Sequence, residues 1–502
     1  VSINPATPVI VGAGQFLNRV DEGAEPLSPI DLILEAIGRA EADSGASTAL
    51  AEQAQVVAVV RMISWRYSDP GRIIADRLGA TDSRTWYPPM GGNTPQMMLN
   101  RICSQITDGQ LDVALLCGGE AWNTRTNAKR AGTRPEWDEQ DPSLVPDWGS
   151  EETFTLGHPA EHARGIVAPV QSYPLFETAI MHEELSKNPD RGLRDQIDLV
   201  GEMWAGFSSV AAHNPHAWNR TELIGSEITT ATASNRYVGW PYTKRMVSNP
   251  DVDMASALVV TSAEAARSAG VPRDRWIFPW SGTDGTDLVM SERESFVRSP
   301  SIGMAGRRVL ELAGLTLEQV EHLDVYSCFP SAVQLFCEEF GIDPLSRPLT
   351  VYGGLAFGGG PWNNPVGHAL ATMVDRLRES GDAFGLVTAN GGNVDKHAFG
   401  VLGTTPPPAG FRYERPQTEI DSAATRRSVL EEYRGTATVE TWTVMHDRSN
   451  EPERYLGSCL TPEGDRTWVE STEADLMATA MTTDIGGRAV HIDTEGAIHL
   501  TG

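Results

Sequence analysis

The sequence predicts an α/β protein of two similar halves, with a long insertion in the first half and a small β-rich domain at the end. Three observations carry this. Apolar strands ending in glycine turns recur in both halves, at residues 111–117 before Gly118-Gly119 and at 384–389 before Asn390-Gly391-Gly392. Regular hydrophobic periodicity breaks at residues 122–242 and resumes afterwards. The segment 404–410 (TTPPPAG) admits neither helix nor central strand, and alternating, β-branched stretches follow it.

Taken in order, residues 7–13 are a continuous apolar run suited to a buried strand. Ser28-Pro29 opens a helix as N-cap and first helical residue, with Ile30, Ile33, Leu34 and Ile37 as its buried stripe. A strand is expected at 55–64 and a short helix at 72–78. The turn Gly91-Gly92-Asn93 precedes a helix from Thr94-Pro95 that buries Leu99, Ile102, Cys103 and Ile106. The 122–242 stretch reads as a partly helical insertion, because Trp137, Trp148, Phe154, Tyr173, Phe176, Trp204 and Trp218 need burial. A strand at 254–261 and a helix at 263–269 close the first half.

The second half replays this plan. A helix at 301–313 and a strand at 323–326 lead into Ser327-Cys328-Phe329-Pro330 and a helix at 331–340. A strand-like 347–352 precedes 353–365 (GGLAFGGGPWNNP), whose glycine-rich composition belongs at a sharp turn or a close approach. A helix at 366–379 and the strand at 384–389 follow. Beyond the linker, strands are expected at 437–446, 454–460, 466–470 and 487–492 with a helix at 473–480, fitting a small barrel of the oligonucleotide/oligosaccharide-binding type. The domains are therefore 1–272 (including the insertion), 273–405 and 406–502.

Bulk composition narrows the partners. The 502 residues carry a net charge of −27, which argues against nucleic acid or an anionic membrane surface as partner. An anionic substrate needs local cations on such a chain. No segment has the apolar length of a membrane span, so no membrane insertion is expected. The five cysteines form no paired motif and have no histidine at zinc spacing, so neither a disulfide framework nor a metal is expected. With no secretory leader, this points to a reducing cytoplasm.

The two halves, the insertion in the first, and the GGL-x-x-x-G-x-P pattern at residues 353–361 together resemble the thiolase superfamily. Within it the chain is most similar to sterol-carrier-type thiolases and the thiolase-like proteins of type 1, which carry an additional C-terminal domain. The resemblance covers residues 5–408. It implies a five-layered α/β/α/β/α fold, a loop domain over 122–242 and a pantetheine tunnel for an acyl-CoA. Coenzyme A would be part of the substrate, with no permanently bound cofactor. It implies a homodimer through the N-terminal half, or a monomer if the added domain covers that surface.

Thiolase chemistry uses a nucleophilic cysteine at a helix N-terminus, a GHP histidine, a second cysteine in a CxG motif, and an Asn or His that orders an oxyanion-hole water. By resemblance the nucleophile position falls on Gly92 or Asn93, and the histidine of GHP falls in Gly359-Gly360-Pro361, on Gly360. The CxG place reads Ala389-Asn390-Gly391 or Asn390-Gly391-Gly392, and tyrosine stands at Tyr326 where His or Asn is expected. The scaffold is kept and the usual groups are replaced.

Several residues remain as candidates. Tyr326 is placed to donate to an oxyanion or, with a lowered pKa, to act as base. Some sterol-carrier-type relatives are retro-aldolases that use tyrosine and a small β-rich partner, for which the fused domain would stand in. His397 is a candidate proton shuttle. His368 lies in the first turn of a helix, where the dipole would favour neutral imidazole. Cys328 is a candidate displaced nucleophile. Asn93 and Asn390 occupy the two former cysteine places. Backbone N–H groups at Gly92, Gly359 and Gly360 offer to hold a thioester oxygen. Lys244, with Arg236 and Arg245, is a candidate for CoA phosphates. Three readings stay open: carbon–carbon bond chemistry without a covalent cysteine, retro-aldol in type; acetyl-CoA acetyltransferase; and a non-catalytic acyl-CoA-binding or assembly protein.

Overall fold

The computed structural model describes residues 3–149, 156–494 and 496–501, so Phe154 lies outside the described residues. The first half runs β1 (Pro8–Leu17), α1 (Pro29–Ser44), β2 (Val56–Val59), α2 (Pro70–Leu78), β3 (Arg84–Trp86), α3 (Thr94–Thr107) and β4 (Val113–Ala121). The insertion adds α4 (Trp122–Arg130), α5 (Pro159–Ala163), α6 (Pro169–Lys187), α7 (Leu193–His213), α8 (Gly225–Thr229) and a hairpin of β5 (Tyr237–Gly239) and β6 (Tyr242–Thr243). The chain then returns through β7 (Asp253–Ser262) and α9 (Ala263–Ser268). The second half holds β8 (Phe278–Thr286), α10 (Pro300–Ala313), β9 (His322–Asp324), α11 (Pro330–Phe340), α12 (Pro365–Ser380), β10 (Phe384–Gly391) and β11 (Lys396–Gly403).

The sheets repeat one plan. The first has order β1-β7-β4-β2-β3, with β1 and β4 antiparallel to β7 and with β4, β2 and β3 parallel. In the second, β8-β11-β10-β9 keep the same order and directions. Helices α3 and α12 pack between the sheets, with α1 outside the first and α10 outside the second. This is the five-layered arrangement. Its tight layering is visible at Gly14, where a Cβ would lie 2.1 Å from the Ala36 carbonyl oxygen of α1. Helix α1 starts as its sequence requires: Ser28 Oγ accepts from the Asp31 N–H at 3.1 Å, closing a capping box.

Two expected strands shorten for a common reason. The strand foreseen at 55–64 ends at Val59, because the N–H groups of Ile63 and Ser64 donate to the buried Glu120 carboxylate, each at 2.7 Å. Residues 347–352 are irregular: the N–H groups of Val351 and Tyr352 donate to Asp324 Oδ2 at 3.0 and 3.2 Å. In both segments a carboxylate takes donors that a ladder would need.

Past the proline segment the chain does not leave at once. Strand β12 (Arg412–Glu414) joins the second sheet parallel to β8, and α13 (Gln417–Ala423) packs on α10. The terminal domain follows as β13 (Val429–Leu430), β14 (Gly435–His446), β15 (Pro452–Leu460), β16 (Arg466–Ser471), α14 (Ala474–Thr482), β17 (Ala489–Ile492) and β18 (Ile498–Leu500), in sheet order β13-β16-β15-β14-β17-β18. Trp442, Tyr455, Val444 and Val490 fill its core together with Trp240 of the insertion. The domain is bolted to the rest. Arg466, fully buried, binds Glu440 and donates to the carbonyl oxygens of Met290, Ser291 and Arg293. Thr178 of α6 donates to the Trp442 carbonyl at 2.6 Å. No helix among the described residues is long and apolar enough to cross a membrane.

Candidate active site

Segments far apart in sequence meet around one cavity of about 830 Å³. Its wall includes Gly92 ahead of α3, Tyr326 and Cys328 between β9 and α11, Gly360 and Trp362 ahead of α12, Asn390 at the end of β10, and Tyr173 on α6. The asparagines of the 353–365 stretch tie these loops. Asn363 accepts from the Gly91 N–H at 3.1 Å and donates to the Arg61 carbonyl at 2.9 Å, while Asn364 donates to the Gly118 carbonyl at 2.9 Å.

The defining contact joins Gly92 and Tyr326. A Cβ built on Gly92 would lie 2.2 Å from the Tyr326 hydroxyl and 2.5 Å from the Asn390 carbonyl oxygen. The phenol therefore occupies the space a side chain at Gly92 would need. Tyr326 is 9% exposed, and its hydroxyl finds no hydrogen-bond partner among the described residues. Burial pushes this phenol well above its ordinary range, and neighbouring Cys328 adds to the shift. A lowered pKa was one of two expectations for Tyr326; the environment gives the opposite, so the group stays protonated and serves as a donor.

Beside it, the Asn390 Nδ2 donates to the Tyr173 hydroxyl at 3.0 Å, and that hydroxyl donates to the Gly392 carbonyl at 3.2 Å. Tyr173 stacks on Phe329 with centroids 4.4 Å apart. The Asn390 Oδ1 is buried with no partner among the described residues. The Gly91 N–H is committed to Asn363, and the Gly360 N–H donates to Asn249 O at 2.8 Å. The Gly92 N–H has no acceptor among the described residues, which leaves it and the Tyr326 hydroxyl as two donors side by side.

Of the residues expected at the site, Gly92, Tyr326, Cys328, Gly360 and Asn390 line the cavity. The others do not. Asn93 is the N-cap of α3 with its Oδ1 buried against Gly91 and Gly391. Gly359 faces Met254 and accepts from the Tyr352 hydroxyl through its carbonyl. His397, expected to shuttle a proton, is buried one layer behind the wall. Its Nε2 lies 3.0 Å from the Val394 carbonyl and 3.6 Å from Asp287, which also pairs with Arg293. His368 pairs with Gln15 at 2.9 Å away from the cavity, and burial depresses its pKa to about 3. Its neutrality comes from burial first, not from the helix dipole. Lys244 is exposed and lies off the cavity wall. Cys328 is on the wall, but burial pushes its thiol up to about 12, against a thiolate role.

Sequence reading missed Tyr173 as a wall residue and missed His162. The His162 Nε2 pairs with the Leu156 carbonyl, which assigns the proton to Nε2, and the Nδ1 has no hydrogen-bond partner among the described residues. His162 is the one imidazole on the cavity wall among the described residues. Nothing in the sequence marks it, since α5 reaches the wall only through the fold of the insertion.

The fold defines a thiolase-fold protein with an additional C-terminal domain of strands. Residues 416–497 match the family model described as thiolase-like protein type 1 additional C-terminal domain. Over its whole length the chain is similar to a monomeric SCP2-thiolase like protein type 1 from Mycobacterium smegmatis, at 28% identity, with 100% of each chain covered and a TM-score of 0.82. An Ltp2-ChsH2(DUF35) aldolase shares the fold at 18% identity, with 80% of this chain and 98% of that one covered and a TM-score of 0.56. The dimeric peroxisomal thiolase of Saccharomyces cerevisiae does so at 14% identity, 80% and 98% coverage and a TM-score of 0.53. A search of curated protein sequences finds no match.

Proposed function

We propose that this protein binds an acyl-CoA in the cavity and cleaves a carbon–carbon bond of a 3-hydroxyacyl-CoA by a retro-aldol reaction, without a covalent cysteine intermediate. The observation that carries this is the Tyr326 hydroxyl standing in the side-chain space of Gly92. A thioester carbonyl presented there would meet the Gly92 N–H and the Tyr326 hydroxyl as a two-donor oxyanion hole. His162 Nδ1 takes the proton of the 3-hydroxyl. The C2–C3 bond breaks as the C3 carbonyl forms, and its electron pair becomes the enolate of the thioester, held by the two donors. The imidazolium then returns its proton to C2. The products are an aldehyde or ketone and a shortened acyl-CoA. The terminal domain supports the reaction by backing α6, which carries Tyr173.

The test is turnover of 3-hydroxyacyl-CoA substrates. Tyr326→Phe is expected to lower kcat by about 10²–10³, the effect of removing one oxyanion donor, and His162→Asn by about 10²–10⁴, the worth of a general base. Unchanged kcat in both variants overturns the mechanism. The acetyltransferase reading predicts an acyl adduct on Cys328, the only cysteine on the wall among the described residues. Intact mass after acetyl-CoA treatment is expected to show none.

A further inference from the structure

Glu161 is a fully buried carboxyl that the proposed chemistry does not use. It immediately precedes His162 on α5. Its Oε1 accepts from the Ser291 N–H at 3.0 Å and from the Ser291 hydroxyl at 2.5 Å. Its Oε2 is buried with no partner among the described residues. Plain packing does not call for such a group, since an apolar side chain under α5 would avoid burying a carboxyl with one oxygen unanswered. Helix α5 has only five residues. A helix that short does not hold itself, because nucleation costs more than its few hydrogen bonds return. Its place is therefore set by what it is tied to.

Ser291 passes the anchor on to the terminal domain. Its hydroxyl accepts from the Trp468 indole N–H of β16 at 2.8 Å, and its carbonyl accepts from Arg466 at 2.8 Å. Trp468 also reaches back to the end of α5, where its carbonyl accepts from Arg164 Nε at 3.1 Å. Arg454 of β15 donates to the Gly165 carbonyl at 3.5 Å. The chain leaving α5 returns onto it: the Ile166 N–H donates to the Glu161 carbonyl at 3.0 Å, and the Gly165 N–H to the His162 carbonyl at 2.9 Å. His162 is on the cavity wall, whereas Glu161, Ser291 and Trp468 are not.

We propose that Glu161 is the positioning residue of His162, and that the terminal domain, through Trp468 and Ser291, sets where the imidazole stands on the cavity wall. The inference rests on the role given to His162 above. Successive side chains on a helix are turned by about 100°. A carboxyl fixed beneath α5 therefore fixes the rotation of the helix about its axis, and with it the direction of the next side chain. Losing that anchor lets His162 swing away from the 3-hydroxyl while the cavity walls stay in place, so the chemical step slows and binding does not.

The full chain is assayed for acetyl-CoA release from 3-hydroxydodecanoyl-CoA and 3-hydroxy-3-methylbutanoyl-CoA. Glu161→Ala is expected to lower kcat by about 10²-fold, the scale of a misplaced catalytic group, with KM unchanged. Glu161→Gln, which keeps an acceptor for Ser291, is expected to recover most of that loss. Trp468→Phe keeps an aromatic ring, drops the N–H and is expected to lower kcat by a smaller factor. The deciding measurement is the double variant Glu161→Ala/His162→Asn. A residue that acts only through His162 adds nothing once the imidazole is gone, so the double variant is expected to match the kcat of His162→Asn. Hydrogen exchange over residues 160–166 is expected to quicken in Glu161→Ala and in Trp468→Phe. If Glu161→Ala does not fold, Trp468→Phe/His162→Asn runs the same cycle. Losses that multiply, or full kcat with unchanged exchange in the single variants, overturn the role of Glu161 and leave His162 as the base. Unchanged kcat in His162→Asn, or no acetyl-CoA release by wild type, overturns the reading of His162 and this inference with it.

Discussion

At the scale of single residues, the site turns on a missing Cβ. Gly92 has no side chain, and the Tyr326 hydroxyl takes that space. Gly92→Ala puts a carbon 2.2 Å from the phenol oxygen, so ring or loop must move. The expected result is loss of turnover comparable to Tyr326→Phe and destabilisation of about 1–3 kcal/mol from overpacking. Thermal unfolding and kcat read the two effects separately, and full activity with unchanged stability would show that Tyr326 does not sit there. In the proposed mechanism the raised pKa of Tyr326 suits it to donate, and proton removal is assigned to His162.

At the scale of elements, α6 joins the site to the terminal domain. Its Glu177 is buried, accepts from Tyr242 at 2.6 Å and from Gln334 at 2.8 Å, and burial lifts its pKa to about 7. A carboxyl with a folded pKa above its unfolded value binds its proton more tightly when folded. It therefore supports the fold at low pH, and that support is lost as pH rises from about 4.5 to about 7. Denaturant unfolding at pH 5 and pH 8 is expected to show wild type losing more stability across the interval than Glu177→Gln. Equal losses would remove Glu177 as a source. The edge strand β3 carries a second prediction. The chain's own Trp148 covers it: Tyr87 N–H donates to the Trp148 carbonyl at 2.9 Å, Trp148 N–H to the Thr85 carbonyl at 3.1 Å, and Asp147 accepts from the Thr85 N–H at 2.7 Å. The terminal domain packs instead on α6, β5 and the segment around Ser291. A covered edge favours a monomer, and Asp147→Ala/Trp148→Ala is expected to associate in sedimentation experiments. A monomeric variant would show that something else blocks pairing.

At the scale of the whole molecule, Arg466 fastens the terminal domain to the second half. Replacing it with alanine leaves Glu440 without its buried partner and orphans three carbonyl groups. The expected cost is about 3–5 kcal/mol, the usual penalty for breaking a buried pair. It would appear as a lowered denaturation midpoint or as an earlier separate transition of this domain. An unchanged midpoint would make the clamp ornamental.

Helices α1, α3, α10 and α12 were legible in the sequence because caps, Pro at the first turn and apolar stripes are local signals. Strands β8 and β11 were not, since their glycines and polar residues face neighbours that only the sheet supplies. Gly282 shows this: a Cβ there would meet the Asn100 side chain of α3 at 2.3 Å. The sequence by itself determined the two-half α/β plan and the added β-rich domain, because each is written in residue identity and order. Only the tertiary structure decided which survivors face the cavity. Burial direction is a property of packing: it turned His397 and Asn93 away, kept the Tyr326 phenol protonated, and brought in His162 and Tyr173.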